Sequence, residues 1–115
     1  MFAAHHQLDN LVAIIDYNKL QSLTTIENTL GLEPLANKFK AFGWSVKEVD
    51  GHSHAQIKEA LQKTPWSANK PSILIANTTK GKGVSFMENS IEWHYSNLSP
   101  EQLSQALAEV EAKHA

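Results

Sequence analysis

Leu11-Val12-Ala13-Ile14-Ile15-Asp16-Tyr17-Asn18-Lys19-Leu20 changes character half-way along. Its first five residues are apolar and rich in β-branched side chains. Such a run predicts a strand buried on both faces, as inside a parallel sheet flanked by helices. From Asp16 the stretch turns polar. In an open α/β sheet ligands sit outside the carboxyl ends of the strands, so residues 16–20 stand where chemistry is expected. A carboxylate and a carboxamide at that edge suit a hard cation, because Mg²⁺ takes oxygen ligands and commonly bridges to phosphates. An ordinary strand-to-loop turn would use the same residues, since Asp and Asn favour turns.

On either side of this stretch the chain alternates between helical and extended patterns. Met1 to Leu8 reads as the end of a helix, with no capping side chain in front of it. An entry into the first strand that abrupt implies a missing strand and half-helix upstream. Gln21 to Gly31 has little periodicity and reads as a loop. Glu33 to Phe42 reads as a helix, with Pro34 in its first turn, Leu35, Phe39 and Phe42 on one face, and Gly43 as its stop. Trp44 to Val49 alternates as a second strand. Ser53 and Gln56 spell a capping box for a helix with the stripe Ile57, Ala60 and Leu61, broken at Pro65. Ser72 to Ala76 is a third strand, expected with Leu11–Ile15 to lie inside the sheet. Ser99 and Gln102 open a last helix through another capping box, and Leu103, Leu107 and Val110 would be its core face. The order predicts an α/β fold: a parallel sheet, right-handed crossovers and helices on both faces.

Composition narrows the class without naming a function. The 115 residues make one domain's worth of chain, 42% hydrophobic and 19% charged, so a folded core is expected. A net charge of −2 gives no electrostatic case for nucleic acid or an acidic membrane. With no cysteine there is no disulfide scaffold, thiolate metal site or thiol nucleophile. No apolar run approaches the roughly 20 residues of a membrane span, and the first residues lack the pattern of a signal peptide. A soluble, cytoplasmic protein is the expectation.

The second informative stretch is Asn77 to Tyr95, a loop too long to be idle inside a compact domain. It contains Lys80-Gly81-Lys82-Gly83, whose glycines let backbone approach a ligand and whose lysines add positive charge. The spacing is not that of a Walker A loop. Because it follows the third strand as Asp16–Leu20 follows the first, both loops are expected at one edge of the sheet.

Together these stretches resemble one family. Asp9 to Leu20 is similar to the end of the thiamine-diphosphate motif of transketolases. Phe42-Gly43-Trp44, Val49-Asp50-Gly51-His52, the run Thr79 to Asn89 and Trp93-His94 follow in the same order as in that family. The resemblance covers nearly the whole chain, and Lys-Gly-Lys-Gly-Val-Ser-Phe-Met-Glu-Asn is its most specific part. It implies that residues 1–115 are the C-terminal portion of a diphosphate-binding domain, particularly that of the N-terminal subunit of split transketolases. The implied cofactors are thiamine diphosphate and Mg²⁺. The implied reaction moves a two-carbon ketol unit from a ketose phosphate to an aldose phosphate.

By the same resemblance Asn18 would ligate Mg²⁺ and contact the diphosphate, and the backbone carbonyl of Leu20 would be a second metal ligand. His94 would meet the diphosphate and the substrate near the reacting carbon, where an imidazole can donate to anionic oxygens or handle a proton. The implied partner is a pyrimidine-binding domain or subunit, in a homodimer or heterotetramer, with no nucleic acid and no membrane. The family's Gly-Asp-Gly, and with it the Asp ligand, is absent from this sequence. The chain alone is therefore expected to bind the cofactor poorly and to lack transketolase activity. Tyr95 stands where many members have Gly, and Gln21-Ser22-Leu23-Thr24-Thr25 replaces a stretch that commonly ends in Asp-Gly. Both departures bear on the preferred sugar.

Two other readings stand beside this one. A deoxyxylulose-phosphate synthase or dehydrogenase component would share the cofactor, although Phe86-Met87-Glu88-Asn89 argues against both. A non-catalytic α/β interaction module would keep the fold without the site. Of the remaining candidates, His5 and His6 read as surface, Trp44, Trp66 and Phe39 as core, and Asp16 as structural. His52 and His54 lack a third metal ligand nearby in sequence.

Overall fold

The computed structural model describes residues 1–114. In chain order the elements are α1 (Phe2–His5), β1 (Val12–Tyr17), α2 (Ile26–Thr29), α3 (Leu35–Ala41), β2 (Ser45–Asp50), α4 (His54–Gln62), β3 (Ser72–Asn77), a 3₁₀ turn (Glu92–His94) and α5 (Pro100–His114). They fall into two units. One comprises Met1–Tyr17 with Gly31–Thr78, and the other Asn18–Leu30 with the chain from Thr79 onward.

The first unit is an α/β sheet. Its strands are parallel in the order β1-β3-β2, and β3 pairs along its whole length with both neighbours. Tyr17, Asn77 and Asp50 lie in register, so the three carboxyl ends are level. The passage from β1 to β2 skips one position and the return to β3 steps back. Right-handed crossovers in opposite directions put their helices on opposite faces. The clefts agree: Tyr17, Glu48 and Ile75 line one with Leu35 and Asn37 of α3, and Lys47 and Val49 line another with Gln56, Glu59 and Ala60 of α4. Beyond α4, the Trp66 indole donates to the Ala60 carbonyl at 2.8 Å and the Lys47 ammonium sits 5.0 Å from its ring centre. Covered on both sides, β3 is buried from Ser72 to Ala76.

The expectation for β3 is met and the one for Leu11–Ile15 is corrected. The first strand runs Val12–Tyr17 and forms an edge of the three-stranded sheet. Its residues alternate: Ala13, Ile15 and Tyr17 turn toward the covered face, while Val12 and Ile14 are 36% and 56% exposed. The cause is the reach of α4. A helix about 10 Å across covers about two strands spaced ~4.8 Å apart, and α4 returns from β2 to β3. An apolar run records what a strand can bury, not which neighbours it has.

Local signals explain the ends of the helices. Ser53 Oγ accepts the Gln56 amide at 3.3 Å, while the Gln56 side-chain oxygen takes the Asp50 N–H at 3.0 Å instead of closing the box. The box before α5 closes fully: Ser99 Oγ accepts the Gln102 N–H and Gln102 Oε1 accepts the Ser99 N–H. Within the expected loop Gln21–Gly31, Thr25 caps the single helical turn α2.

In the second unit, α5 corrects another expectation. Leu103, Leu107 and Val110 are 48%, 54% and 39% exposed, whereas Ala106 is buried and Gln102 and Glu109 are half-buried. The helix turns a small and polar stripe inward because what it packs on is a loop with backbone hydrogen-bonding groups to satisfy.

Substituting Leu74, which is fully buried, by Ala should cost about 2–5 kcal/mol in chemical denaturation. Ile14→Ala, on the open face of β1, should cost about 1 kcal/mol or less. Equal losses would contradict the placement of β1 at an edge.

Candidate functional site

Asn18 follows the last residue of β1 directly, and the chain then folds back on itself. Lys19 adopts a left-handed conformation (φ 65°), uncommon for a residue with a Cβ, which turns the chain sharply. Asn18 Oδ1 accepts the Leu20 N–H at 2.9 Å, closing an Asx-type turn around Lys19. Leu20 then lies opposite Thr25 in an isolated antiparallel bridge. The bridge is held by Ile26 N–H to the Lys19 carbonyl and Gln21 N–H to the Thr24 carbonyl. Those bonds flank Leu20, so its own carbonyl accepts no hydrogen bond from the described residues.

The second loop is closed on itself. The Asn89 N–H donates to the Lys80 carbonyl at 2.9 Å, and Val84 and Met87 amides donate to the carbonyls of Gly81 and Val84. Gly81 (φ 71°) is required twice over: a Cβ there would lie 2.5 Å from the Met87 carbonyl oxygen. Gly83 (φ 107°) is required by its backbone alone, for it faces open space. Glu88 Oε1 accepts the Gly83 N–H at 3.0 Å and stands 3.7 Å from the Lys82 ammonium. The Gly83 amide, with a smaller contribution from Lys82, holds the Glu88 carboxyl below the usual glutamate range. Its contribution to the folded loop is therefore complete above the usual range and lost as pH falls through the lowered value. From this loop the chain reaches the 3₁₀ turn, which is tied back by the Trp93 indole on the Phe86 carbonyl at 2.8 Å.

These turns bring Asn18, Leu20, Gln21, Ser22, Lys80, Ile91 and His94 around one pocket of about 190 Å³. All seven belong to the second unit. Such a volume accepts a phosphate-sized part of a ligand and lies below the ~300 Å³ at which pockets begin to enclose a small molecule whole. Asn18, Leu20 and His94, the three residues singled out in the sequence, do meet here. Lys80 joins them. It is the member of the lysine pair at the pocket, while Lys82 faces Glu88. Gln21 and Ser22 were legible only as a departure from a family pattern.

Asp16, by contrast, is outside the pocket lining and takes a hydrogen bond from the Thr78 hydroxyl at the ends of β1 and β3. Among the described residues no group of three or more His, Asp or Glu side chains is placed to hold a metal. The donors that suit a hard cation are neutral: the Asn18 side-chain oxygen, with a lone pair beyond the one Leu20 uses, and the Leu20 carbonyl.

The model of the family described as transketolase, thiamine diphosphate binding domain, matches residues 1–112. The chain belongs to the transketolase family. Among its curated relatives, the 6-deoxy-6-sulfo-D-fructose transketolase subunit SqwG of Clostridium sp. (strain MSTE9) is 41% identical over all of this chain and 42% of its own length. An apulose-4-phosphate transketolase subunit of Phocaeicola vulgatus is 42% identical over 96% of this chain and 39% of its own. This transketolase-family chain thus spans about two-fifths of the length of those relatives. The crystal structure of transketolase from Campylobacter jejuni superposes with a TM-score of 0.86 at 30% identity, covering 96% of this chain and 17% of that one. Transketolase from Pichia stipitis, in complex with sedoheptulose-7-phosphate, gives 0.84 at 26% identity, covering 96% and 16%. The α/β fold and the thiamine diphosphate binding domain expected from the sequence are borne out. No helix among the described residues is long and apolar enough to cross a membrane.

Gly81→Ala should lower the melting temperature more than Gly83→Ala, because only the first adds a collision with backbone to the conformational cost. Equal losses in thermal melts of the two variants would contradict the closed form of the loop.

Proposed function

We propose that this chain supplies one side of the cofactor site of a transketolase, an enzyme that moves a two-carbon ketol unit between sugars using thiamine diphosphate and Mg²⁺. The observation that carries the reading is the meeting of Asn18, Leu20, Lys80 and His94 at one pocket in a chain of this family. Asn18 Oδ1 and the Leu20 carbonyl would hold Mg²⁺, as two neutral oxygen donors in a shell completed by phosphate, water and a carboxylate from outside this sequence. Lys80, at the same pocket, would supply a cation for phosphate oxygens. When bound, the cofactor supplies the nucleophilic carbon and the electron sink for breaking and making the ketol carbon–carbon bond.

What the chain itself does is bind, orient and move protons. Asn18 and Leu20 would hold the metal, Lys80 would pair with the diphosphate, and His94 stands beside these residues on a short helical turn. From there its imidazole can donate to a developing anionic oxygen or relay a proton of the sugar hydroxyls. A pyrimidine-binding domain or subunit completes the site, in a homodimer or a heterotetramer. Both relatives named above are transketolase subunits, and their names give one a sulfonated ketose and the other a sugar phosphate. They support a sugar with a terminal anionic group as substrate. The compartment we propose is the cytoplasm.

Asn18 and His94 should be separable by kinetics in the intact enzyme with its partner. Asn18→Ala should weaken cofactor and metal retention, and excess thiamine diphosphate with Mg²⁺ should recover much of the rate by mass action. His94→Ala should lower kcat/KM by about 10²–10⁴-fold even with cofactor saturating. Full rescue of His94→Ala by cofactor, or none for Asn18→Ala, would refute the assignment.

A further inference from the structure

The loop that places Lys80 at the pocket is held from outside by one face of α5, through contacts that the proposed reaction does not use. Glu109 accepts both donors of one residue: the Ser85 N–H reaches Oε2 at 2.5 Å and the Ser85 hydroxyl reaches Oε1 at 2.7 Å. The Gln105 amide donates to the same Oε1 at 2.7 Å, one helical turn earlier, and fixes the carboxylate's orientation. One turn later the Lys113 ammonium donates to the Gly83 carbonyl at 3.0 Å. A single stripe of α5, residues 105, 109 and 113, therefore grips the backbone at Gly83 and Ser85. Val84, between them, is buried. This stripe replaces the apolar face that the helix leaves exposed.

We propose that Glu109 is a positioning residue for the pocket: it fixes the Gly83–Ser85 backbone, and with it the closed loop that presents Lys80. The inference rests on the functional reading above for its consequence, though not for its geometry. Within the loop, the hydrogen bonds from Asn89 to Lys80 and from Val84 to Gly81 make the ten residues 80–89 one closed body. Pinning that body at Ser85 pins its other end at Lys80. A carboxylate suits this task because Oε2 accepts the Ser85 N–H while Oε1 accepts both the Ser85 hydroxyl and the Gln105 amide. A glutamine of the same size has one acceptor oxygen, so its NH₂ would face either the Ser85 N–H or the Gln105 donor. An ionised acceptor also makes the stronger bonds.

The test compares Glu109→Gln with Glu111→Gln, which removes the same charge from an exposed position on the same helix. Two readouts are taken on the full-length enzyme with its partner subunit: hydrogen–deuterium exchange over residues 80–89 without cofactor, and the Kd for thiamine diphosphate with Mg²⁺ by calorimetry. Glu109→Gln should speed exchange in that segment and raise Kd about tenfold, with Glu109→Asp closer to wild type. Glu111→Gln should leave both near wild type. A Glu109→Gln protein with a lower melting temperature but unchanged Kd in its folded fraction would show a merely structural role and overturn the proposal. Exchange no faster than in Glu111→Gln would overturn it as well. If the wild-type enzyme takes up no thiamine diphosphate, the functional reading falls, and the exchange comparison still decides whether Glu109 holds the loop.

Discussion

Pairing of β3 on both of its edges is the constraint from which the rest follows. A parallel strand has no hairpin to hold it; its partners must be brought by crossovers and its faces covered by them. Ser72 to Ala76 meets this demand with small and aliphatic side chains that leave almost nothing exposed. Parallel pairing in register then forces β1 and β3 to end level, Tyr17 opposite Asn77. The Thr78 hydroxyl on the Asp16 carboxylate ties those ends together. Both loops with chemistry therefore leave a pair of neighbouring strands at the same end, a condition set by backbone hydrogen bonds alone.

Beyond the sheet the means of stabilisation changes. The first unit is held by buried Ile73, Leu74 and Ile75. The second has one glycine-rich loop, the helical turn α2, the 3₁₀ turn and one long helix, with Val84 and Ala106 as its buried apolar residues among those described. Backbone N–H and carbonyl groups without secondary-structure partners must find others. Here they find Glu88, Glu109, Lys113 and the Trp93 indole. Direction matters more than area in such an arrangement, since a hydrogen bond specifies an angle and an apolar contact does not. A loop built this way presents a side chain at a fixed position while keeping its backbone close to the pocket.

How much of this could be read beforehand divides along the same line. Periodicity and capping residues placed all three strands and the helices α3, α4 and α5, because those signals are local: Ser99 and Gln102 close a box whatever else the chain does. The pattern of motifs placed Asn18, Leu20 and His94 in one site. The errors were errors of neighbourhood. Leu11–Ile15 has the composition of an inner strand and lies at an edge of the described sheet, because which strands pair with β1 is not encoded in β1. Leu103, Leu107 and Val110 have helical spacing and lie outward, because α5 turns Glu109, oriented by Gln105, toward the loop instead. Ser85 and Glu109 are 24 positions apart, and no sequence period links them. A polar residue on a helix reads as solvent-facing until its partner is seen.

The charge content of the pocket bears on how the proposed metal and diphosphate would bind. Its lining holds one lysine, one histidine, the amides of Asn18 and Gln21, the Ser22 hydroxyl and the Leu20 carbonyl, with no carboxylate. A divalent cation placed against Asn18 and Leu20 would gain two dipoles but no neutralising charge, and Lys80 nearby would oppose it. Neutral oxygen donors hold Mg²⁺ weakly unless anions share its shell. Phosphate groups change that balance, since they neutralise the metal and the lysine together. Metal and diphosphate should then bind to these residues as one, each making the other's site favourable. The carboxylate implied upstream would bias that coupled site toward the metal. Under the proposed function, these residues would receive the metal and the diphosphate as a pair, not either ion alone.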